Sequence, residues 1–503
     1  MNQEEKEKTI PIVLGKRKVL SPEGFYDPNE KRHRAMSPMP SAASPSYFTC
    51  TSPDNARPCP PATVIPLASL PNQTKVRRVK VLFYYIQLSE LEWRIVDTPH
   101  FAAKRKVKQM GACIYAYPCA TETRWMHQLL VRHFANMTMR LLQQHQPELG
   151  ITERWIQAVN IAALCHDIGH CTFSHLFDHE LLKTFANVPE EMRDHETRGT
   201  KLFEWMNRHY KLGLDDAQVR LIQYLITGNS EAGIKENYPG WLFDVVNARN
   251  SFDVDKLAYL HSNAIASHGH VRDLQIERIL DEERVLNDEI CHPRKMHRLL
   301  NDVLHHRMLA FLELYRHKLM PKVESILICI FKHMAKALDW EKLLVDPEAD
   351  GHRWCLEMTD AAIDSLPNLL NPSIFDRLSD MQRAELTKAY ELYLRLETRE
   401  WFETVEELKL VRPEEEEAGV SPGGNEAAAL SNLTEISKPT MAFDYIAGYS
   451  NDAANNPIDS IKLFEMKPDG IHIKTLRAVL QEEKGTNPHF ERHRTVLANE
   501  DPV

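Results

Sequence analysis

Residues 163–178 read ALCHDIGHCTFSHLFD. An apolar run closes on His166-Asp167, Gly169 follows, and three more groups that bind protons or metals, His170, His175 and Asp178, come directly after. A lone His-Asp pair is commonplace in a chain with 24 histidines. Here the pair sits at the C-terminal end of an amphipathic helix, and Gly169 permits a turn, so imidazole and carboxylate converge on one point just past the helix. A divalent cation that also binds oxygen-rich substrate needs such a mixed shell with open positions, not a thiolate cage.

Working outward, Trp155, Ile156, Val159, Ala162 and Ala163 recur at helical intervals before the pair, and Leu129, Leu130, Phe134, Met137, Leu141 and Leu142 do so on the helix before that. The earlier helix begins at Thr123-Arg124, with His127 in its first turn. Downstream, Asp253-Val-Asp255-Lys256 begins another. His127 and Asp255 therefore stand near helix starts as the two further ligands that the pair requires. Apolar spacing predicts more helices over 194–210, 215–227, 251–266, 296–317 and 322–338. The β-branched and aromatic run KVRRVKVLFYYIQL from Lys75 predicts a strand, as do IKLFEM and IHI near the C-terminus. The expected fold is mainly α, a helical core over 76–400 followed by a small α+β lobe over 401–503 with an acidic Pro/Gly loop at 413–432.

Residues 1–75 carry 12 of the 29 prolines, repeated Ser-Pro pairs and the basic clusters Lys16-Arg17-Lys18 and Lys31-Arg32-His33-Arg34. They read as a disordered tail whose basic clusters either direct nuclear import or solvate the chain. With 503 residues, 43% hydrophobic, the chain holds enough apolar material for a large core. The longest apolar stretch, around Ile326–Phe331, is far short of the roughly 20 residues a membrane span requires. The acidic, lysine-dotted N-terminus MNQEEKEKTI is unlike a secretory signal, which places the chain in nucleus or cytoplasm. Nine cysteines without a C-x-x-C pair fit neither a disulfide framework nor a zinc ribbon. A net charge of −10 opposes bulk attraction to nucleic acid.

With these positions in place the chain resembles the HD-domain phosphohydrolases, whose ligands follow an H…HD…D order matched by His127, His166, Asp167 and Asp255. Asp97-Thr-Pro-His-Phe101, Arg105, Lys108-Gln109, HDIGHCTFSHLFD, His195-Glu196, DVDKLAY and Asn456-Pro457-Ile458-Asp459 occur in the order seen in the SAM-and-HD-domain deoxynucleoside triphosphate triphosphohydrolases. The similarity runs from about residue 76 to 340, with a weaker echo near 441–475. No sterile-alpha-motif module is visible in the tail, so the chain resembles a variant lacking it.

The resemblance implies one divalent ion (iron, manganese, magnesium or zinc) and release of deoxynucleoside and intact triphosphate. It implies that His175 protonates the leaving 5′ oxygen, with His170, Asp178 and His195 in support. A triphosphate carries about four negative charges, which calls for fixed cations, and Arg124, Lys256 and Arg307 are the candidates. Lys256, Tyr259 and Asn263 share one helical stripe. Arg307 and Tyr315 resemble the family's phosphate and sugar contacts. Asp97 and Arg105 match its guanine-nucleotide activator site, although the segment before them has become Phe83-Tyr-Tyr-Ile-Gln87. A dimer or a nucleotide-induced tetramer is implied. The basic runs Lys75 to Lys80 and Lys104 to Lys108 are candidates for activator phosphates or single-stranded nucleic acid. Ala258 and Asn263 stand where the family has acids, and Arg316 where it has glutamine. These departures leave open a phosphohydrolase acting on another nucleotide, and a nucleotide- or nucleic-acid-binding scaffold with little turnover.

Overall fold

A computed structural model describes residues 77–249, 252–268, 274–402, 404–410, 440–447, 457–482 and 491–498. The expected tail 1–75 and the acidic loop 413–432 lie outside the described residues. The described residues are mainly helical, as the spacing predicts, with strands gathered into small sheets.

Helix α1 (Arg124–His145) starts where Thr123 Oγ1 accepts from the Met126 amide, satisfying one of the free N–H groups of the first turn. It buries Leu129, Leu130, Phe134 and Met139 completely. A short link containing Gly150, at φ 61°, turns the chain back into α2 (Glu153–Cys165), which Thr152 caps in the same way. Helix α2 is not an ordinary surface helix with one apolar stripe. From Ala158 through Ser174 every residue is buried, which only a helix enclosed by neighbours on all sides tolerates. The His166-Asp167 pair at its end is thereby carried into the interior.

The predicted strand at 75–88 is a hairpin, β1 (Arg77–Val81) with β2 (Tyr84–Leu88), because Leu82 adopts φ 52° and reverses the chain. Its inward residues Val81, Ile86 and Leu88 are fully buried. A buried fork fixes the hairpin to α1: Arg132 donates to both oxygens of Glu92, at 2.7 and 2.9 Å, and to the Gln87 carbonyl at 2.8 Å. Glu92 also takes the Ser89 amide, closing a capping box.

Helices α3 (His195–His209), α4 (Asp216–Ile226), α5 (Val254–His268), α6 (His297–Ala310) and α7 (Met320–Leu338) follow the predicted segments, and α7 packs against α8 (Asp380–Thr398). Two departures from regular α-helix, π-helical turns at Phe177–Leu181 and Phe311–Tyr315, fall in segments that carry site candidates. The expected C-terminal α+β character is present. Strands β3 (Arg284–Leu286) and β4 (Glu289–Pro293) form a hairpin, and β5 (Thr404–Leu410), β6 (Thr440–Ala447) and β9 (Glu491–Ala498) form a sheet of their own in the order β5-β9-β6. Strand β7 (Lys462–Lys467) runs parallel to β4, with His292 opposite Leu463, and pairs with β8 (Gly470–Thr475) to complete a four-stranded sheet β3-β4-β7-β8. Among the described residues no helix is long and apolar enough to cross a membrane.

Candidate active site

Three helix ends deliver the four candidate ligands. His127 comes from the first turn of α1, His166 and Asp167 from the end of α2, and Asp255 from the first turn of α5. Asp253 sets the start of α5 by accepting the Lys256 and Ala248 amides, each at 3.0 Å. His127 Nε2 lies 2.9 Å from Asp255 Oδ1 and 3.3 Å from Asp167 Oδ2, and His166 Nε2 lies 3.5 and 3.3 Å from the same two oxygens. Ligands held about 2.0–2.2 Å from one ion are themselves roughly 3.0–3.5 Å apart, so this spacing suits a shared cation. The His166 Nδ1–H donates to the Ala163 carbonyl at 2.9 Å, which leaves the Nε2 lone pair facing the cluster. Nε2 of His127 and Nε2 of His166 are buried without a hydrogen-bond partner, an expense that a bound cation would relieve. Burial opposes every charge here and opposite charges overcome it. Arg124 holds Asp167 well below the usual carboxylate range, while His127 and His166 hold Asp255 there and are themselves raised by the two carboxylates.

A second group adjoins the first, with His170 Nε2 3.4 Å from Asp167 Oδ1. His170 and His195 stack face to face, centroids 3.8 Å apart, and His175 meets both edge-on at 4.8 and 5.4 Å. His170 and His195 stack ring face on ring face, while the ligand atoms of His170, His175, Asp178 and His195 lie within 4.8 Å of one another. Asp178, one turn after His175, is not hydrogen-bonded to it. The π-helical turn at Phe177–Leu181 widens the coil at that point, and Asp178 instead accepts from Arg198 at 2.6 Å and lies 2.9 Å from His195 Nδ1. Desolvation opposes the Asp178 charge, but the Arg198 guanidinium holds the carboxyl far below its ordinary value. Burial likewise opposes a charged His195, and Asp178 raises it nonetheless, whereas desolvation and the Arg124 charge push His175 down to about 3.

Gly169 also acts differently from the expectation. It has no positive φ, and a methyl group at Gly169 would lie 1.9 Å from the His195 carbonyl oxygen and 2.7 Å from the Gly199 amide. Gly169 is there so that the first turn of α3 can press against the loop after α2. Gly169→Ala is expected to cost about 3 kcal/mol by overpacking and to push His195 away from His170, read as a lowered urea midpoint with an unchanged slope.

The two groups open into one cavity of about 820 Å³, within the range of small-molecule sites. Arg124, Lys256, Tyr259, Asn263, Arg307 and Tyr315 all line it, so the structure brings together every candidate phosphate and sugar contact. Arg124 bonds Asp167 and donates to Ser174 Oγ at 2.9 Å. Lys256 Nζ pairs with Asp253 at 2.8 Å, and Asn263 donates its amide to the Tyr315 hydroxyl. Arg316, Lys183 and Glu324, which sequence reasoning did not place in a pocket, line the same cavity. Asp97 is exposed, paired with Arg77, and lines a separate surface pocket of about 630 Å³. Arg105 does not line that pocket; its guanidinium stacks 4.4 Å above Trp125. Lys104 is not part of an exposed basic run, since it is fully buried.

Residues 135–286, which carry His166, Asp167 and Asp255, match the HD domain family. The chain is 27% identical over 330 residues to a deoxynucleoside triphosphate triphosphohydrolase homolog of Dictyostelium discoideum, covering 65% of this chain and 59% of that one. It is 27% identical over 410 residues to the deoxynucleoside triphosphate triphosphohydrolase of Bos taurus, covering 76% and 68%. A putative HD domain-containing protein of Acanthamoeba polyphaga mimivirus is 24% identical over 347 residues, covering 65% and 72%. The chain thus spans less than two thirds of the Dictyostelium relative.

Proposed function

We propose that this HD-domain chain is a metal-dependent phosphohydrolase that cleaves deoxynucleoside triphosphates to deoxynucleoside and inorganic triphosphate. The observation that carries the reading is the convergence of His127 with His166, Asp167 and Asp255, the last three on the wall of a cavity that is also lined by Arg124, Lys256 and Arg307. A divalent ion held by His127, His166, Asp167 and Asp255 would neutralise phosphoryl oxygens and lower the pKa of water at that point. The three cations spread the remaining triphosphate charge, which positions the chain of phosphates and stabilises the charge that builds on the leaving fragment. Asp178, 2.9 Å from His195 Nδ1, favours the protonated form of that imidazole against the burial that opposes it. His175 opens to the cavity and is the group placed to give a proton to the departing 5′ oxygen. Tyr259, Asn263 and Tyr315 form the wall for the sugar. The activator at Asp97 and Arg105, self-association, contact with single-stranded nucleic acid and a nuclear or cytoplasmic location belong to the same reading through the resemblance to relatives.

The test is to incubate purified chain with each deoxynucleoside triphosphate and manganese, with and without guanosine triphosphate, and to separate products by ion exchange. Deoxynucleoside together with intact triphosphate is the expected result, and stepwise loss of single phosphates would sink the reading.

A further inference from the structure

The loop that carries the chemistry has an unusual backbone. Phe173 and Ser174, adjacent and neither of them glycine, adopt φ values of 49° and 58°, a conformation that L side chains rarely take and that persists only where the surroundings over-determine it. Both residues line the cavity, and the turn they make delivers His175. What determines it lies outside the cavity. Asp360 Oδ1 accepts the Phe173 amide at 2.6 Å while Oδ2 accepts the Lys108 amide at 2.7 Å. The Met358 carbonyl accepts the Thr172 amide at 2.8 Å. Ser174 Oγ donates to the Lys108 carbonyl at 2.8 Å and accepts from Arg124 Nε, so the same clamp reaches the guanidinium that bonds Asp167.

Two cations hold the preceding carbonyls. Lys104 Nζ donates to the His170 carbonyl at 2.6 Å, and Arg198 Nε donates to the Gly169 carbonyl at 2.9 Å. The Trp354 ring lies within 5.8 Å of the Lys104 ammonium and 5.6 Å of the Arg198 guanidinium. Lys104 and Arg198 are fully buried and Asp360 nearly so. Among the described residues no carboxylate lies within ion-pair distance of Lys104, and burial raises Asp360 to about 7 in spite of the amides it accepts. Lys104 and Asp360 grip backbone rather than a counter-charge, and buried groups used in that way are expensive to keep. Apolar residues would fill the same space at lower cost if packing were the only demand.

We propose that Asp360, Lys104 and Arg198 are positioning residues that impose the left-handed turn at Phe173–Ser174 and thereby aim His175 and Arg124 into the cavity. The kinetic part of this inference rests on the proposed phosphohydrolase reading, and the structural part does not. The test compares the full chain with Asp360→Asn and Lys104→Met, by crystal structure, by bound-metal content, and by kcat and KM for a deoxynucleoside triphosphate. The expected result is that Phe173 and Ser174 leave the left-handed region, metal content is unchanged, and kcat falls about 100-fold with KM within about threefold, as a displacement on the order of 1 Å produces. In a His175→Ala background Asp360→Asn is expected to cost less than in the wild type, because the part of its effect that acts through that imidazole is already lost. A left-handed turn that survives both substitutions, or losses that simply multiply with His175→Ala, would overturn the proposal. Should Asp360→Asn fail to fold, Lys104→Met carries the same comparison with the carboxylate in place. A wild-type chain without triphosphohydrolase activity would remove the proposed function and leave the crystallographic comparison to decide the brace.

Discussion

Asp255→Asn is expected to strip the bound ion from the chain and to lower turnover by about three orders of magnitude while leaving the fold intact. The substitution keeps the shape of the side chain and removes one of two anionic ligands. The charge stabilisation that a divalent ion supplies to a phosphoryl transition state amounts to several kcal/mol, and each ~1.4 kcal/mol is a factor of ten in rate. Among the described residues Asp255 lies within ion-pair distance of the His127 and His166 imidazoles and of no lysine or arginine, so no buried ammonium or guanidinium loses its counter-charge. Asp167→Asn is expected to differ in a way that separates the two roles. It loses the ion as well, but it also deprives the buried Arg124 of its carboxylate and so lowers thermal stability. Elemental analysis, turnover and a thermal scan on both variants make the comparison. Full metal content and unaltered turnover in Asp255→Asn would show that these four side chains are not the ion's ligands.

The largest effect on stability is expected at Asp178. Its carboxylate faces Arg198, whose side chain is fully buried, and Asp178→Ala leaves that guanidinium without its counter-charge. Removing one partner of a buried pair typically costs about 3–5 kcal/mol. The sign of the pH dependence follows from the direction of the shift. Asp178 is held far below its unfolded value, so its contribution is present at neutral pH and is lost as pH falls below about 4, through the unfolded pKa and toward the folded one. Urea midpoints measured from pH 7 to pH 3 are expected to fall less steeply in Asp178→Ala than in the wild type. The double substitution Asp178→Ala with Arg198→Met is expected to recover much of the loss at neutral pH. A single substitution that leaves the midpoint unchanged would mean that Arg198 is satisfied by the Gly169 and Met192 carbonyls alone.

Much of the helical framework was legible because its signals are local. The apolar spacing over residues 129–142 and 155–163, and Thr123 before Arg124, report on a few turns of one helix, and α1 and α2 appear where those signals lie. The hairpin at Arg77–Leu88 was less legible, because a continuous run of β-forming residues does not show where Leu82 reverses it. Among the chemical groups, His166-Asp167 is contiguous and Lys256, Tyr259 and Asn263 share one face of one helix, so both sets could be grouped from spacing. The partner of Asp178 could not. A three-residue interval points to His175, and only the π-helical turn and the approach of α3 turn the carboxylate to His195 and Arg198.

By itself the sequence determined which segments coil, which side chains able to hold a cation stand at their ends, and that cations and aromatics follow at helical intervals. Tertiary structure alone decided that Nε2 of His127 and of His166 lie 2.9–3.5 Å from carboxylate oxygens of Asp167 and Asp255. It also decided that Gly169 serves a close helix contact rather than a turn, that Lys104 is interior, and that Asp360, far along the chain, grips the amide of Phe173. The reason is physical. Local backbone preference depends on neighbours a few residues away. Desolvation, close approach and the pairing of buried charges depend on which distant segments share the interior, and residue types alone do not carry that information.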